Sequence, residues 1–152
     1  MRKLKKFSFR LEPVLKYKND RLEVLKNEHA KIVNKIMKQE EKIKELENSR
    51  RQYEGAFNQK KLQGILPIEA INYQNYLDRQ NYIIKREYTV LKKIRDEESE
   101  KKDQILEAKK ESLSIEKLKE INMEQYRKDV NRENELFIEE FVSNSRASVR
   151  SF

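Results

Sequence analysis

Apolar residues recur along this chain at helical spacing, in two long runs. In the first, Leu15, Leu22, His29, Ile36, Ile43, Arg50 and Phe57 stand seven residues apart, and Lys18, Leu25, Ile32, Gln39, Leu46 and Tyr53 fill a second position of the same frame. Nine of these thirteen are apolar, the pattern of a heptad seam that needs a partner helix along its length. In the second run Leu77, Ile84, Leu91, Ile94, Ile105, Ala108 and Ile115 keep one frame, interrupted by Glu87, Glu98, Lys101 and Ser112. Past Tyr126 the spacing slips by four residues to Val130, Phe137 and Phe141, a stutter of the kind that unwinds a supercoil.

The helix breakers divide the two runs. Pro13, Gly55, Gly64 and Pro67 are the only Pro and Gly residues, and Pro13 and Pro67 suit the first turn of a helix, where a missing N–H costs nothing. The spacing predicts a helix over about 12–58, a turn over about 59–66 centred near Gly64, a second helix over about 67–143 and a frayed tail over 144–152. A short turn makes neighbouring helices antiparallel. The expected fold is therefore all-α, an antiparallel two-helix coiled coil forming a single rod over 1–152, its helices roughly 65 to 70 Å and more than ~100 Å long. With the turn at Gly64, Leu15 lies opposite the region of Leu113, and residues beyond about Ile115 form a C-terminal helical overhang without an intrachain partner.

Composition narrows the function. Ala, Glu, Leu, Lys and Arg make up half of the 152 residues, and 36% hydrophobic against 41% charged leaves too little apolar material for the core of an enzyme this size. Cysteine is absent and His29 is the sole histidine, so no disulfide framework, zinc cluster or cysteine nucleophile can form. His29 falls on the seam, opposite Asp96 to Gln104, where a polar side chain sets register. Gly55 and Gly64 do not make a phosphate-binding loop, and paired carboxylates such as Glu97 with Glu98 alternate with lysines as on a solvated helix face. The expectation is a non-enzyme without cofactor or metal. No window has the apolar length of a signal peptide or a membrane span, which fits a soluble, cytoplasmic protein.

Charge and aromatic placement point to partners. The net charge is +8, concentrated at the start in Arg2, Lys3, Lys5, Lys6, Arg10, Lys16 and Lys18, a patch that suits nucleic acid, an acidic protein or an anionic membrane alike. A basic coiled-coil module that binds nucleic acid, or another structural coiled-coil adaptor, is one reading of it. Tyr53, Phe57, Tyr73, Tyr76, Tyr82 and Tyr88 crowd into 36 positions around the turn, more than one narrow seam can take, and exposed tyrosines are the material of a protein-binding hot spot. Tyr53 counts as a seam residue and Tyr76 as exposed. Phe137, Ile138, Phe141 and Val142 form an apolar stripe on the overhang, a second docking surface or a self-association face.

The opening FSFRLEPVLKYKND, the unbroken heptad helix behind it, the break near Gly64, the cluster INYQNYLDRQ and a second highly charged helix together resemble the FliJ family of flagellar type III export proteins. Nearly the whole chain takes part. The resemblance implies a non-enzymatic component of flagellum biogenesis that stands as the central stalk of the hexameric export ATPase FliI, contacts the export gate protein FlhA and handles export chaperones. It implies no nucleic-acid partner, and a place in the cytoplasm, peripheral to the membrane at the flagellar base. By register through the YQNY cluster, the gate side falls on Leu46, Tyr53 and Tyr76, while neighbouring family positions carry Ser49, Gln80, Ile83 and Glu87, several with changed chemistry. The ring side is expected at Arg2, Lys3, Lys5, Lys6, Arg10, Val130, Phe137 and Phe141.

Overall fold

The computed structural model describes residues 6–150. It contains two helices, α1 (Glu12–Gln63) and α2 (Pro67–Arg150), packed against each other as an antiparallel hairpin. The Leu66 carbonyl accepts the Ala70 N–H at 3.1 Å, so Pro67 stands at the first helical position as its fixed φ requires. Gly64 ends α1 in the left-handed region at φ 97°, a conformation glycine adopts without the Cβ penalty. Gly55 lies inside α1, where its helical neighbours outweigh its weak propensity. Both helices outrun their expected ends. α1 continues to Gln63, since Asn58 to Gln63 holds no breaker, and α2 continues through 144–150 where fraying was expected.

Two compact units divide the chain, a hairpin unit of Glu23–Leu106 and a terminal unit made of Met1–Leu22 with Glu107–Phe152. All thirteen seam positions of α1 are buried or half-buried, and so are all eleven frame positions of α2 up to Ile115, the four polar interruptions included.

In the hairpin unit Ile36, Ile43 and Leu91 form the core, with Ile32 and Ile94 packed on it. Polar layers interrupt the hydrocarbon about every three turns of α1. His29 meets Glu98, with Nε2 3.4 Å from Oε1, as the sequence places it, while Lys101 Nζ reaches Glu28 at 2.8 Å. Gln39 Nε2 donates to both the backbone carbonyl and the carboxylate of Glu87, which Lys42 approaches at 3.2 Å. Arg50 Nη1 donates to Asn81 Oδ1 at 2.7 Å. Because a seam slip would separate Lys101, Gln39 and Arg50 from their acceptors and strand polar groups against hydrocarbon, these layers fix the register.

The terminal unit is held differently. Its buried apolar residues among those described are Phe9 and Leu15, and Ser112, 4% exposed, donates to Asn19 Oδ1. Lys18 pairs with Glu111 at 2.8 Å and Lys119 with Glu12 at 2.8 Å. Ahead of α1 the chain runs on along α2, and the ring of Phe7 stands 5.6 Å from that of Tyr126. The expectation that α2 is unpartnered beyond about Ile115 is therefore corrected. A non-helical segment with Phe at every second position covers α2 as far as Tyr126, which a count of helical turns cannot anticipate.

Candidate functional site

Side chains in the hairpin unit build a first surface around the turn. Tyr53 lies between two rings of α2, its centroid 4.0 Å from Tyr76 and 5.0 Å from Tyr73, while Tyr73 stacks on Phe57 at 4.9 Å and 9°. Lys61 Nζ sits 3.9 Å from the centroid of Phe57 and Lys60 Nζ 5.6 Å from that of Tyr73, both within cation–π range. Tyr53 is on the seam as the heptad count places it. Tyr76 is not freely exposed but half-buried, because the broad ring of Tyr53 draws α2 aromatics inward from both sides. Leu46 is likewise half-buried on the seam, so these three expected gate residues present only their rims to solvent.

Tyr82 and Tyr88 are both exposed, at 68% and 48%, and Tyr88 donates its hydroxyl to Glu47 Oε1 at 2.6 Å, a bond that raises its pKa. Of the neighbouring family positions, Gln80, Ile83 and Glu87 are half-buried and Ser49 is exposed. Glu87 has its pKa lowered, first by the hydrogen bond from Gln39 and then by Lys42. The aliphatic apex was missed from the sequence. Leu62, Leu66, Ile68 and Ile71 around the turn are all more than half exposed, and the signal for them was present, since none falls on a seam position.

The second surface belongs to the terminal unit. Of the expected basic residues, Lys6 and Arg10 are exposed, while Arg2, Lys3 and Lys5 lie outside the described residues. Val130 is half-buried, and past Glu133 every residue of α2 is exposed. Phe137 and Phe141 keep 45% and 67% of their surface in solvent and Ile138 59%, in the stripe the sequence predicts. Among the described residues no cluster of His, Asp or Glu could hold a metal ion, and no helix is long and apolar enough to cross a membrane. What both surfaces offer is apolar and aromatic contact area rimmed by charge, the chemistry of protein docking.

Comparison with curated proteins finds no match, and comparison with solved structures finds none. Against models of protein families, residues 7–149 match the one described as Flagellar FliJ protein. With that match spanning all but nine residues of the chain, and with two antiparallel helices as its fold, the protein belongs to the FliJ family and is a flagellar export-related protein.

Proposed function

We propose that this protein is the central stalk of the hexameric export ATPase FliI, that it links the ring to the export gate protein FlhA and to export chaperones, and that it hydrolyses nothing itself. The observation that carries the reading is the far end of α2, where Phe137 and Phe141 stand exposed on a helix that continues to Arg150. Leaving each such ring in water forgoes roughly 1.5 kcal/mol or more of burial, so a protein surface that covers them gains that much apiece. Lys6 and Arg10, with the basic residues ahead of them, would steer this end toward acidic loops of the ring. Coupling would arise from differential contact, an asymmetric two-helix stalk favouring different conformations in different ring subunits. Gate contact would use the accessible rims of Leu46, Tyr53 and Tyr76. The protein would then work in the cytoplasm, peripherally at the membrane of the flagellar base.

Truncation tests the reading. Removing the residues after Asp129 is expected to leave helicity and melting temperature nearly unchanged, since all but Val130 and Glu133 of the described residues removed are exposed, but to abolish stimulation of FliI hydrolysis. Undiminished stimulation by the truncated protein would move the ring contact elsewhere.

A further inference from the structure

The exposed end of α2 has an internal symmetry. At about 100° per residue, Phe137, Ile138, Phe141 and Val142 share one face, and Val130, Asn134, Ser145 and Val149 extend it in both directions. About a point between Glu139 and Glu140 this face reads the same both ways. Ile138 mirrors Phe141, Phe137 mirrors Val142, Asn134 mirrors Ser145, and Val130 mirrors Val149, so apolar matches apolar and the polar residue matches polar.

We propose that this face pairs with the same face of a second copy of the chain, antiparallel about a two-fold axis between Glu139 and Glu140. A two-fold axis makes such an interface self-complementary, which a palindromic face satisfies without any further partner. Charge agrees with the direction. Glu135 and Arg146 lie on one flank of the face, and an antiparallel pair sets Glu135 of each copy beside Arg146 of the other, whereas a parallel pair holds this flank of the two copies on opposite sides of the seam and brings neither residue to the other. Glu139 and Glu140 stand at the level of the axis but about 130° around the helix from the middle of the face, so they point away from the partner copy. The contact is one stripe of a single helix from each copy, so association is expected to be weak and reversible and to show in the upper part of a micromolar-to-millimolar range. The pairing uses residues assigned above to the ATPase ring, so the two occupants exclude each other. Its test needs no ring, and its failure leaves the stalk reading untouched.

The purified full chain is followed by sedimentation equilibrium from micromolar to near-millimolar concentration, with circular dichroism showing that each variant stays helical. Monomer and dimer are expected in exchange, with F141S weakening association about tenfold or more. E135R and R146E are each expected to weaken it a few-fold, and the E135R/R146E double variant to restore it, since the reversed pair is again complementary. The chain has no cysteine, so engineered thiols report direction cleanly. A mixture of N134C and S145C chains is expected to form the mixed disulfide well ahead of either self-disulfide. A monomer at every concentration, a dimer indifferent to F141S, or N134C chains that cross-link chiefly to themselves would each overturn the proposal.

Discussion

The hairpin unit and the terminal unit use the same two helices and solve their packing with different material. Among the described residues, seven of the nine buried apolar side chains belong to the hairpin unit, from Leu25 to Leu91, and two, Phe9 and Leu15, to the terminal unit. Burial of hydrocarbon is the large favourable contribution to folding, while exposed ion pairs such as Lys119 with Glu12 contribute little each. The difference teaches that buried hydrocarbon is concentrated in the hairpin unit, which leaves contact area exposed chiefly around its turn, while the terminal unit relies more on polar contacts. The hairpin unit holds the fold, and the terminal unit is built from contacts weak enough to open or exchange, so backbone amides of residues 107–130 should exchange with solvent faster than those of residues 77–98.

The largest expected effect is Leu91→Ala, which empties part of the Ile36–Ile43–Leu91 core and should cost about 3 kcal/mol in denaturant unfolding. Phe7→Ala in the terminal unit, which removes a half-buried ring from Tyr126, should cost about 1 kcal/mol. Equal losses would erase the contrast.

Tyr76→Ala comes next, at about 2 kcal/mol, because the ring packs on Tyr53. Tyr82→Ala, at an exposed position, should stay within about 0.5 kcal/mol. If both variants melt like the parent, the aromatic cluster does not hold the turn together.

The glycines give smaller effects of opposite sign. Gly64→Ala forces a Cβ into φ 97° and should destabilise by about 1 kcal/mol, while Gly55→Ala, with nothing within 4 Å of the added Cβ, should raise stability by about 0.5 to 1 kcal/mol.

The smallest effects are in pH dependence, and they separate the units. Glu87 and Glu98 of the hairpin unit have lowered pKa values, Glu87 chiefly through Gln39 and Glu98 chiefly through Lys102 and then His29. Their stabilisation is complete above the ordinary value of 4.5 and is lost as pH falls through the lower folded values. Lys18 of the terminal unit has a raised pKa through its hydrogen bond to Glu111, so its contribution is complete below 10.5 and is lost as pH rises through the folded value. Glu87→Gln should flatten the acid limb of a melting-temperature profile, and Lys18→Gln the alkaline limb. An unchanged limb would show that the corresponding contact does not persist in solution.

The sequence by itself determined the frame of this protein. Seven-residue recurrence assigned every seam position of α1, and the frame on α2 located even its polar members, because both follow from a helix of fixed pitch facing one partner. Pro67 and Gly64 set the turn through local backbone restraints that need no tertiary information. The apolar stripe at Phe137 and Phe141 was readable for the same reason. Only the tertiary structure decided which polar residues meet, whether Tyr76 turns in or out, and how far α2 is covered. Gln39 finds Glu87 and Asn19 finds Ser112 through distances across the seam that sequence spacing does not contain. Tyr76 leans inward because Tyr53 supplies a surface for it, and Phe7 reaches Tyr126 because the segment before α1 leaves the helical path and runs on along α2.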